Sequence, residues 1–161
     1  MSEIINSLIF DDITLEDEFR ALISKKIAED DVYNIFEKEI NLVPFDETVS
    51  KETTLPAITF EIVDPVPYAP TKEDIQIQRY TSFTVEINIY TSGENRKRNN
   101  KQLRNVLVAL MQSNGSLGTF YNRGLVLRED SVLSYEVEKT ERRVIRFSGV
   151  CNNNTNLILS I

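Results

Sequence analysis

The chain of 161 residues contains no histidine and a single cysteine, Cys151. The lack of histidine excludes Ser-His-Asp and Cys-His nucleophile arrangements, the histidine-containing zinc sites and the commonest general base at neutral pH. One cysteine can form neither an internal disulfide nor a thiolate metal cluster, and the alternating pattern around Cys151 is typical of a buried small hydrophobic residue. Carboxylate chemistry remains open because the chain has 25 Asp and Glu residues, but no recognisable motif pairs them. We therefore expect no enzyme, no metal site and no cofactor.

Other familiar signatures are also missing. The sequence has no GxGxxG or GxxxxGK[ST] phosphate-binding loop and no EF-hand loop. No stretch approaches the roughly 20 apolar residues of a membrane-spanning helix. The N-terminal segment lacks the basic start and the small-residue cleavage site of a signal peptide, so we expect synthesis in the cytoplasm and no membrane partner. With five Gly, five Pro and 41% hydrophobic residues, the composition is typical of one folded domain, 1–161.

Charge is distributed unevenly along the chain, whose net charge is −7. Residues 1–48 include thirteen acidic and four basic residues, whereas residues 95–128 include seven basic residues and no acidic one. Such an asymmetry can direct one surface toward a polyanion, or toward the acidic part of another copy of the same chain.

Two segments have the apolar spacing of amphipathic helices. In the first, Thr14 with Asp17 resembles a capping box at the start of the helix. The second helix is predicted to begin between Ser92 and Arg96 and to end before the segment SNGSLG at 113–118. The apolar faces consist of Leu15, Phe19, Leu22, Ile23 and Ile27 in the first helix and of Leu103, Val106, Leu107, Leu110 and Met111 in the second.

Four segments alternate apolar and polar residues as strands do, at 57–63, 75–90, 131–139 and 143–151. The last two are predicted to form a hairpin with its turn at 140–142. Proline-rich residues follow the first strand and predict an extended loop that cannot continue a sheet. The segment 75–90 is long for a strand, so either it bends or its first half projects as a hairpin arm. The final apolar run, NLILSI, either adds an edge strand or docks on a neighbour.

The order helix, strand, strand, helix, strand, strand predicts an α+β fold: an antiparallel sheet of about four strands with two main helices packed on one face. Three segments are expected to lie outside that core. They are an N-terminal extension, 1–13, a Pro-rich loop or extended hairpin arm, 64–79, and a C-terminal tail, 152–161.

The second helix carries a basic stripe beside its apolar face, because Lys97, Lys101 and Arg104 lie at i, i+4 and i+7. Positive charge near a helix N-terminus is mildly unfavourable, so helix stability does not account for these residues. A negatively charged partner would account for them. Nucleic acid is one candidate, although the helix lacks interleaved aromatic residues and the whole chain is acidic.

The element order, with local patterns LPAITFEI, QRYTSFTVEINIYT, NKQLRNVLVALMQ and ERRVIRFSGV, resembles the tail terminator, or tail-completion, proteins of long-tailed bacteriophages. The resemblance covers roughly residues 14–151 and consists of sheet and helix patterns rather than a catalytic motif. Related head-tail connector and minor capsid proteins share much of this layout. The resemblance implies a structural virion protein at the head-proximal end of the tail, assembled in the host cytoplasm. It also implies a homohexameric ring that ends growth of the tail tube and joins the tail to the head.

The implied partners are other copies of the chain, the tail tube protein and the head-tail connector protein, with DNA at most passing through the ring lumen. One alternative is another neck or minor capsid component, and an alternative of a different class is a nucleic-acid-binding α+β module. A ring needs two unlike surfaces that meet, and the oppositely charged parts of the chain would supply them. The candidate contact residues are Arg96, Lys97, Arg98, Lys101, Arg104, Asp11, Asp12, Glu16, Tyr68 and Arg79.

Overall fold

In a computed structural model of the protein, the structure describes residues 11–29, 41–43, 55–68, 80–112, 114–117, 120–123, 125–153 and 158–159. The helices and strands in these ranges are α1 Asp12–Glu29, β1 Asn41–Val43, β2 Ala57–Tyr68, β3 Tyr80–Ser92, α2 Arg96–Gln112, β4 Asn114–Leu117, β5 Phe120–Arg123, β6 Val126–Tyr135, β7 Thr140–Asn152 and β8 Ile158–Leu159.

Four antiparallel strands form the centre of the main sheet, in the order β2-β3-β7-β6. The short strand β1 runs parallel to the start of β2, and β8 pairs with the end of β7. Strands β4 and β5 form a separate hairpin. The predicted α+β fold with an antiparallel sheet of about four strands and two helices is therefore confirmed.

Alternate residues of the sheet point into one hydrophobic core. In β3 these are the residues that the alternation predicted, Phe83, Val85, Ile87 and Ile89, and all are buried. Their register partners in β2 and β7 point the same way, so that Ile87 lies between Phe60 and Ile145. Cys151 belongs to the same core, and its burial raises the pKa of the thiol to about 12. It is buried, as its neighbourhood predicted.

Both helices pack on this single face of the sheet. Helix α1 contributes Leu15, Phe19 and Ile23 to the core, and the Phe19 and Phe60 ring centroids are 5.4 Å apart. Helix α2 contributes Leu103, Leu107, Leu110 and Met111, with Val106 and Val108 partly buried beside them. The helical spacing of apolar residues in the sequence predicted these buried faces.

The start of α1 was predicted incorrectly. The helix begins at Asp12, and its cap is Asp11, whose carboxylate accepts a hydrogen bond from the Thr14 backbone N–H at 3.0 Å and another from the Thr14 hydroxyl at 2.8 Å. The predicted cap, Thr14, is instead the third residue of the helix and serves as the donor. Asp11 is as favourable a cap residue as Thr14, so the predicted cap lay three residues too far along the chain.

The prediction that β2 ends before the Pro-rich segment was also wrong. Strand β2 continues to Tyr68 by means of an irregularity between Val63 and Val66, where Asp64 adopts a φ of 51°. Proline is tolerated here because no strand among the described residues pairs with this part of β2 on the side away from β3, so a missing N–H on that side interrupts no ladder. Residues 69–79, on which the predicted arm depends, lie outside the described residues.

The final hairpin is longer than predicted and turns earlier. Strand β6 begins at Val126, and Tyr135 pairs with Thr140, so the turn is 136–139 rather than 140–142. Lys139 adopts a φ of 50° in this turn. Val137, which continued the apolar alternation in the sequence, therefore lies in the turn and is 94% exposed.

Several short elements had no sequence prediction. Strands β1, β4 and β5 are 3, 4 and 4 residues long, too short for an alternation to be apparent in the sequence. The run NLILSI, for which an edge strand was one of two alternatives, contributes β8. No helix in the described residues combines the length and the apolar character needed to cross a membrane.

Candidate interaction surface

The basic helix α2 starts against the tip of the β6-β7 hairpin. Gly93, with a φ of 90°, donates its backbone N–H to the Lys139 carbonyl oxygen at 3.0 Å. The buried Thr91 hydroxyl donates to the Arg96 carbonyl oxygen at 2.8 Å. A short connection from β3 thus fixes both the position and the direction of the helix.

Arg96 and Lys97 share one acidic partner at this tip, Glu136. Arg96 donates from Nη2 to Glu136 Oε2 at 2.8 Å and from Nη1 to the Gly93 carbonyl oxygen at 3.0 Å. Lys97 Nζ lies 3.6 Å from Glu136 Oε1. Because Lys97 and Glu136 are both largely exposed, their pairing contributes little, whereas the shielded side chain of Arg96 fastens the helix to the turn.

Arg104 belongs to a polar network that connects α2 with three strands. Its Nε donates to Asp130 Oδ2 at 2.7 Å, and the other carboxylate oxygen of Asp130 accepts from Arg143 Nη1. Arg143 Nε donates to Asn100 Oδ1 at 2.8 Å, and Asn100 Nδ2 reaches the Thr91 hydroxyl at 3.3 Å. Asn100 and Arg143 are buried, so each is a polar group that this network must satisfy.

Asp130 is the centre of this network. Partial burial by itself would raise the pKa of its carboxyl, but hydrogen bonds and charge from Arg143 and Arg104 outweigh that effect and lower the pKa. Asp130 is therefore an anion at neutral pH that is held between two guanidinium groups, as a structural ion pair requires.

Arg98 and Lys101 differ from their basic neighbours. Both side chains are exposed on α2, and neither has a hydrogen bond or ion pair with any residue in the described part of the chain. The basic residues of α2 thus differ in role: Arg96 and Arg104 hold the hairpin against the helix, whereas Arg98 and Lys101 face solvent.

The residues that neutralise the stripe were not found from the sequence. The sequence pattern indicated a negatively charged partner in nucleic acid or in another copy of the chain, but within the described residues Arg96 pairs with Glu136 and Arg104 with Asp130, both in the C-terminal hairpin. They lie 40 and 26 positions from the arginines they bind. One signal was available: Arg143 is two positions before the inward-pointing Ile145, and an arginine on a buried strand face requires a partner.

The acidic candidates on α1 have separate structural roles. Asp11 caps the helix and Asp12 lies in its first turn, where the helix dipole favours negative charge. Glu16 is 5% exposed and accepts a hydrogen bond from the Ile62 backbone N–H at 2.8 Å. Burial is the main cause that raises the pKa of Glu16, and the Ile62 bond opposes it. Glu16 therefore binds the sheet instead of facing a neighbour.

Two further acidic residues on α1 face outward. Asp17 is exposed and Glu18 is partly exposed, and neither makes an ion pair with another described residue. These two, and not Glu16, are the counterpart on α1 of Arg98 and Lys101 on α2. Of the remaining candidates, Tyr68 pairs through its backbone with Tyr80 at the end of β2, and Arg79 lies outside the described residues.

The sheet face without helices carries its own charged row. Arg146 in β7 lies between Glu86 in β3 and Glu129 in β6, with nitrogen to oxygen distances of 2.8 Å and 3.0 Å. Two rows away on the same face, the Arg142 guanidinium lies 5.7 Å from the centre of the Tyr90 ring. These pairs are exposed and cross-strand, so they support strand register more than they add stability.

The chemistry of the described residues is that of ion pairs and hydrogen bonds. They contain no group of three or more cysteine, aspartate or glutamate side chains placed to hold a metal ion. Two carboxyl groups in the described part of the chain have shifted pKa values, Glu16 and Asp130, and both have structural partners. No protein-family model matches the chain, and no curated protein shows significant sequence similarity to it.

Proposed function

We propose that this protein is a structural assembly protein whose copies associate head to tail into a ring, and that the ring is the homohexameric terminator of a long-tailed bacteriophage tail. The observation that carries the self-association is the pair of unmatched charged surfaces on the two helices. Arg98 and Lys101 on α2 and Asp17 and Glu18 on α1 have opposite charge and no ion-pair partner within the described residues.

Unlike surfaces of opposite charge support a heterologous contact, in which α2 of one copy meets α1 of the next. Repetition of such a contact closes into a ring when the rotation permits. Complementary charge also directs the approach of the copies and disfavours wrong pairings. The position of the ring at the head-proximal end of the tail depends on the resemblance in element order and local pattern. Tail tube and head-tail connector proteins are the further partners under this proposal.

Charge reversal tests the contact between copies. We expect the native chain to form a discrete oligomer with six times its mass of 18.5 kDa, or a multiple of six, by native mass spectrometry and light scattering. Replacing two attractive pairs by repulsive ones in Arg98→Glu with Lys101→Glu should cost about 1–2 kcal/mol per interface, roughly tenfold in the dissociation constant. The ring should then dissociate at micromolar concentration.

A complementary pair of variants provides the control. Asp17→Lys with Glu18→Lys should also fail to assemble, and an equimolar mixture of the two double variants should recover a mixed contact. Both pairs of residues lie beyond the cap of their helix, so thermal unfolding should remain close to that of the native chain. A native chain that stays monomeric even with tail tubes added would contradict the ring.

The same variants separate this proposal from nucleic-acid binding. A DNA-binding α2 would use its exposed basic residues, Lys97, Arg98 and Lys101. Its affinity for duplex DNA would fall steeply with salt and would disappear in Arg98→Glu with Lys101→Glu. We expect no such binding from the native protein at low salt, because Arg104 is already bound to Asp130.

A further inference from the structure

The outward face of helix α1 combines a negative charge with an uncovered apolar side chain. Its exposed residues Ile13, Asp17, Ala21 and Ser24 lie at i, i+4, i+8 and i+11, so they form a single stripe along the helix. Ile13 is 59% exposed, and it lies one turn before Asp17, which has no ion-pair partner among the described residues. The stripe is therefore apolar at its N-terminal end, negative one turn later and uncharged beyond.

The outward face of helix α2 changes from basic to uncharged along the helix. Arg98 and Lys101 place two positive charges on its first half, and neither has an ion-pair partner in the described part of the chain. The exposed residues that continue the same stripe are Asn105, Ala109 and Gln112, none of which is charged. A larger apolar side chain can pack on Ala109, because its own side chain is a single methyl group.

We propose that helix α1 of one copy packs antiparallel on helix α2 of the next copy, with Ile13 beside Ala109. This contact is the one that the proposed ring requires between copies, so it rests on the proposed function. A second copy of the chain fits both stripes, since their charges are opposite in sign and unmatched within the described residues. Asp17 of one copy then lies at Lys101 of the next.

The register of the charges brings the apolar residues together in this orientation. When Asp17 lies at Lys101, the residue four positions before Asp17 lies opposite the residue four positions after Lys101. Ile13 thus reaches Asn105. Because Cβ atoms tilt toward the N-terminus of their own helix, Ile13 and Ala109 lean toward each other in an antiparallel pair. The contact therefore removes the exposed side chain of Ile13 from water.

A parallel orientation would pair the same charges without covering the apolar residue. With Asp17 again at Lys101, Ile13 would lie beside Lys97, in the basic first turn of α2. Its side chain would then meet an exposed ammonium group instead of an uncharged surface. The charges alone leave both orientations open, and burial of Ile13 favours the antiparallel one.

Cross-linking between co-expressed variants tests the orientation. One chain carries Ile13→Cys and the other carries Ala109→Cys, and a short bifunctional thiol reagent is added to the assembled protein. We expect a covalent dimer from the mixture and none from either variant alone, because the contact joins unlike surfaces. The native Cys151 is buried and should stay unreactive.

Ser24→Cys provides the matched control for orientation. Ser24 lies on the same exposed stripe of α1 as Ile13. In the antiparallel arrangement it is about 20 Å from Ala109 along the helices, because a helix rises about 1.5 Å per residue, whereas in the parallel arrangement the two residues lie side by side. Ser24→Cys co-expressed with Ala109→Cys should therefore give no covalent dimer.

The apolar contact is tested by Ile13→Ala. The variant keeps every charge and removes three carbon atoms from the side chain that the contact covers. The concentration at which the assembly dissociates should rise about tenfold. Val66→Ala, a similar truncation of an exposed apolar side chain on β2, should leave that concentration unchanged. Thermal unfolding of both variants should stay close to that of the native chain, because both side chains are exposed.

The outcomes separate the antiparallel contact from the ring itself. A covalent dimer from Ser24→Cys with Ala109→Cys would overturn the antiparallel contact and leave the ring intact. The same conclusion follows if neither pair cross-links in a protein that still forms a discrete oligomer, or if Ile13→Ala assembles as tightly as the native chain. A native chain that stays monomeric would overturn the ring and this contact with it.

Discussion

Replacing Asp130 by alanine tests whether the polar network between α2 and the β6-β7 hairpin stabilises the fold. The change removes the carboxylate from between Arg143 and Arg104 and leaves Arg143, whose side chain is 11% exposed, with an unbalanced charge. Removal of one partner of a fully buried ion pair costs about 3–5 kcal/mol. The Asp130 side chain retains 21% exposure, so solvent screens part of this loss and we expect about 2–3 kcal/mol.

Urea unfolding at pH 7 measures this loss directly, and the melting temperature should fall by roughly 5–10 °C in a domain of this size. Arg104→Ala is the matched control. It removes the more exposed of the two arginines, whose side chain is 31% accessible, and should cost about 0.5–1 kcal/mol. Replacing Asp130 and Arg143 together by Leu and Met should recover only part of the stability, because no unpaired charge is then buried but the buried Asn100 Oδ1 loses its donor.

The pH dependence provides an independent check on Asp130. Its pKa in the folded protein is lowered from an ordinary value of 3.8, so the folded state binds this proton less readily than the unfolded state. The stabilisation is therefore complete above about pH 5 and disappears as the pH falls below 3.8 and through the folded value. The gap between native protein and Asp130→Ala should narrow over that range. A difference below 0.5 kcal/mol at pH 7, or a gap that does not change on acidification, would refute the reasoning.

Substitutions at two other positions, Glu16 and Gly149, should change the stability of the fold in opposite directions. Glu16→Gln should keep an oxygen acceptor for the Ile62 N–H while removing a buried charge. Because the pKa of Glu16 in the folded protein is raised above 4.5, the contribution of its carboxyl to the stability of the fold falls as the pH rises through the folded value. Urea unfolding at pH 7 should therefore show Glu16→Gln as stable as the native protein or up to about 1 kcal/mol more stable. Glu16→Ala, which loses the acceptor, should cost about 1–3 kcal/mol. Gly149→Ala should cost about 1–3 kcal/mol in the same assay, because the new methyl group would lie 2.6 Å from a Leu125 methyl carbon and 2.9 Å from the Phe83 ring; unchanged stability would show that both side chains can move aside.

The elements that could be predicted from sequence are those that bury one face in the core, because that burial sets the spacing of their apolar residues. Strand β3 has neighbours on both sides and one face against the helices, so apolar and polar residue types alternate from Phe83 to Ile89. Helix α2 is equally regular, because Leu103 and Leu107 must reach the same core. In such elements the burial of one face outweighs every other influence on the local structure, and the spacing of apolar residues along the chain reveals that face.

The predictions were wrong where the local structure depends on a neighbour that is distant in the chain. Proline was expected to end β2, but Pro65 and Pro67 are accommodated because no ladder bond is needed on that side of the strand. Whether a strand is at an edge is a property of the sheet and cannot be found in the strand itself. The partners of Arg96 and Arg104 were missed for the same reason, since ion pairs across 40 and 26 positions leave no periodic signal.

The edge formed by β2 is closed to strand addition. Glu16 accepts a hydrogen bond from the Ile62 N–H and Arg20 donates one to the Phe60 carbonyl oxygen, and Asp64 with the following prolines distorts what remains of that edge. Copies therefore cannot add without end through this edge, as they do in fibres. A closed assembly such as the proposed ring must use other surfaces, and the proposal uses the helix charges that have no ion-pair partner among the described residues.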